Sequence, residues 1–277
     1  MKDIRYGEFR RSIRRTLILY ALFPAMCMVL IVELIFYFAW NQGVCERNNQ
    51  CNTQISQSLE DYIARFRSAC EAASGWDLDG PEWDVPSISA QLYEVVGDMP
   101  CKADFFVLDS ERQLIAASTR LLPQILSDPD RPACGIMRQM ERGPGQSMVS
   151  FSRLDTKDSG NLELEVGQAL YESGSIKGYL LFTIRGSDFL RSAGALPALL
   201  IITDRYGNIF VSNAYQFQDE MDNLDAKVME AEEYLHFEDD VYSTVKDEVE
   251  DGKIVIYTLS SVQIIRTLFT LLAIILI

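Results

Sequence analysis

The chain has 277 residues, with 25 Lys and Arg against 40 Asp and Glu, a net charge of −15 and a single histidine. So acidic a balance excludes a nucleic-acid binder, whose affinity comes from basic side chains on phosphates. One histidine argues against a zinc centre, and no G-x-S-x-G elbow, Walker loop or H-E-x-x-H run occurs, so neither a catalytic site nor a cofactor is implied.

Residues 1–15 form a basic tail, Lys2, Arg5, Arg10, Arg11, Arg14 and Arg15 against Asp3 and Glu8. Residues 16–40, TLILYALFPAMCMVLIVELIFYFAW, are apolar, with Glu33 as the lone charge. At about 1.5 Å per residue such a helix crosses a ~30 Å hydrocarbon core. The basic tail orients it with the N-terminus in the cytoplasm, and Tyr37, Phe38 and Trp40 mark the outer interface. The run exceeds the core of a signal peptide, and no A-x-A-like cleavage site follows. Residues 262–277, VQIIRTLFTLLAIILI, turn apolar again and read as the start of a second span, with an output region expected beyond it. Residues 41–261 are then extracellular. Between 41 and 260 lie 18 basic and 37 acidic side chains, an acidic ectodomain.

Cys45, Cys51, Cys70, Cys101 and Cys134 lie outside the first span, an odd number with no C-x-x-C pair. Cys45 or Cys51 pairing across a dimer and plain free thiols both fit.

After a polar segment, NQGVCERNNQCNTQ, the apolar residues Ile55, Leu59, Tyr62, Phe66, Ala69 and Ala73 recur at spacings of 4-3-4-3-4. That predicts a helix with an a/d seam, fitted either to a homodimer through 55–73 or to packing on its own domain. Ser74-Gly75 and Gly80-Pro81 end it. A short helix is expected over 87–97, then a hairpin, FFVLD and LIAA around Ser110-Glu111-Arg112. A Pro-rich polar loop follows over 119–145. Strands are expected over 147–154, 161–170 and 178–185. Leu162, Leu164 and Val166 alternate with Glu163 and Glu165, which predicts one solvated face. ALLIITDRYGNIFVSN then repeats the first hairpin at an offset of 95 residues, Asp204 standing for Asp109, with Gly207 at a φ > 0 turn position. Residues 215–237 read as an acidic helix, and a last hairpin turns over Asp251-Gly252.

Two sets of site residues follow. A buried arginine holds a carboxylate bidentately, which selects Arg120, Arg131, Arg138 and Arg153, with Tyr93, Trp76 and Trp83 as walls of a small-molecule pocket beside the 119–145 loop. The acidic run Glu238, Asp239 and Asp240 offers oxygen ligands to a divalent cation or a cationic peptide, without the EF-hand spacing.

A basic tail, a span, a long helix, two hairpin-bearing β modules and a second apolar run together resemble the double Cache, PAS-like sensors of bacterial transmembrane receptors. FFVLDSERQLIAAS, LLIITDRYGNIFVSN and GYLLFTIRGSDFL carry the resemblance, which spans about residues 41–262. It implies an α+β fold with a tail (1–15), a span (16–40), a stalk helix (41–75), a membrane-distal module (76–190), a membrane-proximal module (191–261) and a second span (262–277). A single-module sensor with an elaborated tail is the alternative. The resemblance further implies a small molecule held in the distal module and a two-component histidine kinase as output. A diguanylate cyclase, a chemoreceptor or a surface binding protein without signalling stand as rivals. The Trp-Tyr pair of amino-acid-binding members is absent.

Overall fold

The computed structural model describes residues 13–14, 16, 20, 23–76, 83–119, 135–143, 145–153, 162–172, 174–214, 234–237 and 240–262. They belong to two compact units, residues 1–47 with 262–277, and residues 48–261.

The first helix, α1 (Phe23–Ala73), has 51 residues, and among the described residues it alone is long and apolar enough to cross a membrane. Met28, Ile31, Val32, Ile35 and Phe36 all lie exposed, an apolar surface that water rejects and lipid accepts. The second apolar run lies outside the described residues apart from Val262.

Further along α1, Ile55, Leu59, Tyr62, Phe66 and Ala73 are buried, as the 4-3 spacing predicts, together with Ile63 and Cys70. The seam is therefore used up inside the protomer. The face left to water carries Gln57, Glu60, Asp61, Ala64 and Ser68.

Two five-stranded antiparallel sheets pack with this helix. The first contains β1 (Ala103–Asp109), β2 (Leu114–Ala117), β3 (Met148–Arg153), β4 (Leu162–Glu172) and β5 (Ser175–Arg185), in the order β2-β1-β5-β4-β3. The second contains β6 (Leu199–Asp204), β7 (Ile209–Ser212), β8 (Tyr234–Phe237), β9 (Asp240–Val249) and β10 (Ile254–Ser261), in the equivalent order β7-β6-β10-β9-β8. Three short helices join in: α2 (Val85–Gly97), capped by the Asp84 carboxylate on the Ser87 N–H, α3 (Ile136–Arg142) and α4 (Gly186–Ala193).

The repeat read at 95 residues extends to single hydrogen bonds. Ser118 N–H donates to the Phe105 carbonyl and Asn213 N–H to that of Leu200, each at 3.1 Å. Asp109 exchanges a bond with Gln113 across its turn, as Asp204 does with Asn208, each at 2.9 Å. Both hairpins shift register at the same point, between Val107 and Leu108 and between Ile202 and Thr203. Gly207 has φ +84°, and its counterpart Arg112 holds φ +64° without the freedom of glycine.

One apolar core joins α1 to the inner faces of both sheets. Phe66 stacks on Phe182 with centroids 4.6 Å apart, and Leu200, Ile202, Ile254 and Ile256 continue the same core from the second sheet. At the buried polar positions Asn48 and Asn52, one turn apart, each side-chain amide donates to two carbonyls of the second sheet. Asn48 Nδ2 reaches Ser243 (2.8 Å) and Thr258 (3.1 Å), while Asn52 Nδ2 reaches Val245 (3.1 Å) and Ile256 (3.4 Å). The segment read as a polar lead-in is thus a clamp on the β9–β10 hairpin.

The structure corrects other expectations. Tyr234–Phe237, read as helix, is a strand, because Leu235 pairs with Tyr242 and Phe237 with Asp240. Against the single-module alternative, the second sheet has five strands among the described residues, as the first does. Within the 119–145 loop lies the helix α3, which buries Ile136, Met137 and Met140.

Cys51, Cys70 and Cys101 are buried free thiols. Burial pushes Cys70 up to about 12 and Cys101 up to about 11. Since the thiolate is the reactive form, iodoacetamide at neutral pH should leave both unlabelled in the folded chain and label them after denaturation. Modification of native Cys70 as fast as in denaturant, read by mass spectrometry, would contradict this packing.

Candidate ligand-binding site

Strand alternation divides the first sheet into two faces. Phe105, Val107, Leu164, Val166, Leu180 and Phe182 face α1 in the common core. The outer face has an apolar half and a polar half. In the apolar half Phe106, Leu108, Ala169, Tyr179 and Leu181 lie under Ile136, Met137 and Met140 of α3. Glu141 anchors that helix, accepting from the Arg112 guanidinium at 2.7 Å and from the Tyr179 hydroxyl at 3.1 Å. Gly167 permits the close seat: an added Cβ would lie 2.9 Å from Met140 Sδ and 3.0 Å from the Leu180 carbonyl oxygen. Gly167→Ala should therefore lower stability by about 1–3 kcal/mol through overpacking. An unchanged denaturation midpoint would show that α3 is not seated there.

The polar half is a row of acidic groups across three strands. Asp104 of β1 pairs in register with Thr183 of β5, which pairs with Glu165 of β4, and Glu163 pairs with Arg185. All three carboxylates are buried: Asp104 is 7% exposed, Glu163 1% and Glu165 0%. This overturns the expectation of a solvated face, since period-2 alternation marks a face as polar without saying whether it is covered.

Their partners are few. Asp104 accepts from the Ser118 hydroxyl at 2.9 Å, and Glu165 Oε1 from the Ser152 hydroxyl at 2.5 Å. Arg185 donates to Glu163 Oε1 at 3.1 Å and stands 4.0 Å from Asp104. Among the described residues Oε2 of Glu163 and Oε2 of Glu165 have no hydrogen-bond partner. Burial pushes the Glu165 carboxyl up to about 7; the Ser152 bond opposes the shift and the charge on Glu163 adds to it. Glu163 is also raised, by burial first, with Arg185 opposing.

The second sheet provides an internal comparison. At the positions equivalent to Asp104, Thr183 and Glu165 it carries Leu199, Leu259 and Thr244, in register with one another. The fold itself does not require a carboxylate in that row.

Of the residues chosen from sequence, only some are described. Arg120 and Arg131 lie outside the described residues, as does the side chain of Arg153, which ends β3. Arg138 is exposed on α3. Tyr93 packs edge-on against Phe105 with centroids 5.1 Å apart, on the α1 side of the sheet. Trp76 donates to Gln91 Oε1 at 3.1 Å, and Trp83 closes over Gly178. Glu238 and Asp239 lie outside the described residues; Asp240 opens β9 and accepts from the Tyr242 hydroxyl at 3.4 Å. Among the described residues no group of three or more His, Cys, Asp or Glu side chains is placed to hold a metal ion.

A cavity of about 380 Å³ lies between α1 and α4, lined by Cys51, Ile55, Asp61, Tyr62, Phe189 and Leu196 among others. It has a single carboxylate and, among the described residues, no unpartnered buried polar side chain, unlike the outer face of the first sheet.

A long helix with two such sheets is the architecture of the ligand-binding domains of bacterial chemoreceptors. The domain of the Campylobacter jejuni chemoreceptor Tlp3 in complex with 4-methylisoleucine superposes with a TM-score of 0.61 at 13% sequence identity, covering 81% of this chain and 93% of that one. The Tlp3 sensory domain with isoleucine bound gives 0.58 at 13%, covering 83% and 97%. The Pseudomonas fluorescens chemoreceptor CtaA domain with L-leucine gives 0.53 at 12%, covering 82% and 98%. At such identities the likeness is one of fold. No protein-family model and no curated protein matches the chain.

Proposed function

We propose that the chain is the sensing portion of a membrane receptor, with residues 41–261 outside the cell and a small molecule bound on the outer face of the first, membrane-distal sheet. The observation that carries this reading is the buried row Asp104, Glu163 and Glu165, with unpartnered oxygens, in a fold whose solved neighbours hold amino acids. A buried charge without a partner is costly, and proteins keep such groups where a ligand completes them.

Signal transfer follows from what α1 touches. Its inner face lies in the common core, and Arg67 joins both sheets: its guanidinium holds Glu250 of the β9–β10 turn bidentately and donates to Ser147 Oγ, next to β3, at 3.2 Å. Ligand in the distal module biases the packing of this helix, and the shift passes to the membrane span. A homodimer through 55–73 would use the exposed Gln57–Glu60–Ala64 face. The output we assign is a two-component histidine kinase, with a chemoreceptor or a diguanylate cyclase as rivals.

The test is thermal unfolding of the full chain in lipid nanodiscs against a panel of amines, zwitterions, carboxylates and sugars. At 100 times Kd a ligand adds about 2.7 kcal/mol, worth roughly 5–10 °C for a unit of this size. A panel in which nothing raises Tm removes the sensing reading.

A further inference from the structure

Resting on the reading that the outer face of the first sheet is a ligand site, we propose that it recognises a small protonated amine that bears no carboxylate, bound as its ammonium between Glu163 and Glu165. The charge count comes first. Three buried carboxylates share this face, and among the described residues the only cation paired with them is Arg185, already engaged by Glu163 and Asp104. A ligand carboxylate would enter next to three acidic groups with no uncommitted cation among the described residues to meet it, whereas an ammonium supplies the missing charge.

The orphaned atoms come second. When ionised, Oε2 of Glu163 and Oε2 of Glu165 can only accept, and an ammonium offers three donors with no acceptor, so the ligand head and the unpartnered oxygens are complementary. The repeat comes third, because the equivalent row in the second sheet is Leu199, Leu259 and Thr244. The acidic row is therefore a property of this site and not of the architecture.

A pH dependence follows. The charged and titratable groups facing Glu165 and Glu163 from the surrounding elements are Asp104 on β1, Arg185 on β5 and Asp188 on α4, while β3 presents Ser152. The buried Glu165 is protonated in the empty site at mildly acidic pH, its carboxyl titrating at about 7. Binding an ammonium there displaces that proton to solvent, since the ionised carboxylate is the form that accepts from the ligand.

The experiment is calorimetry on the full chain in nanodiscs with four probes of similar size: putrescine, n-butylamine, norvaline and pentanoate. The expected result is binding of the two amines at pH 7.5. Their affinity falls about tenfold per pH unit between pH 6.5 and 5.5, and close to one proton is released per amine at pH 6, read from buffers of different ionisation enthalpy. Glu165→Gln and Glu163→Gln should each weaken amine binding at least tenfold, while circular dichroism reports an intact fold. Norvaline or pentanoate binding as tightly as the amines would overturn the amine assignment and leave the sensing reading standing. Amine binding that is independent of pH and of both substitutions would place the amine elsewhere and overturn the assignment equally. If none of the four binds, and nothing in the wider panel does, the sensing reading itself falls.

Discussion

Glu165→Gln should make the protein more stable and blind to its ligand. The sign follows from the direction of the shift. The folded state holds the Glu165 proton up to about pH 7, while an unfolded glutamate releases it near pH 4.3. The stabilising contribution of the protonated form is thus complete below about pH 4 and is lost as pH rises to 7. Above pH 7 the folded chain carries a buried anion at a cost of about 3 kcal/mol. Glutamine stays neutral at every pH and still accepts from Ser152. The variant should match the parent at pH 4.5 and exceed it by about 3 kcal/mol at pH 8, a rise in Tm on the order of 5–10 °C. Chemical denaturation at the two pH values checks this. Equal stability of parent and variant at pH 8 would show that Glu165 is not a buried carboxylate. A gain in stability paired with a loss of binding is the signature of a group kept for function.

The second large effect belongs to the clamp between α1 and the β9–β10 hairpin. Replacing Asn48 and Asn52 together by leucine keeps the number and branching of the side-chain heavy atoms and removes all four bonds to the carbonyls of Ser243, Val245, Ile256 and Thr258. Loss of buried amide donors of this kind costs about 1 kcal/mol or more each, so the double variant should lose roughly 2–4 kcal/mol. The loss should be local: amide exchange should accelerate in β9 and β10 and stay unchanged in β1 and β5. Equal acceleration in both sheets would mean that the two asparagines do not act on the β9–β10 hairpin alone, and their role as a local clamp would have to be given up.

Much of the architecture was legible because it is written in local chemistry. Asp109 and Asp204 each close a turn with their own carboxylate, Asp109 accepting from Gln113 N–H and Asp204 from Asn208 N–H, so the repeat was visible in two short strings. The α1 seam was legible for the same reason, its period being a property of the helix alone. The site was not. Glu163 and Glu165 alternate with apolar neighbours as any half-solvated strand does, and local periodicity does not say whether the polar face is covered. Asn48 and Asn52 looked like a hydrophilic lead-in because their partners lie 193 to 210 residues away. Of the arginines chosen as carboxylate binders, Arg120, Arg131 and the Arg153 side chain lie outside the described residues and Arg138 is exposed; among the described residues the arginine engaged with the acidic row is Arg185, at the end of a strand, where no loop composition points to it.

The most direct measurement is a titration of the glutamate side-chain carboxyls by carbon NMR in selectively labelled chain, with Glu165→Gln to assign the resonance. The expected result is a carboxyl that titrates near 7 in the empty protein and far lower once putrescine is bound. A Glu165 resonance titrating near 4.5 and unmoved by any ligand would contradict it, and the outer face of the first sheet would no longer be the site.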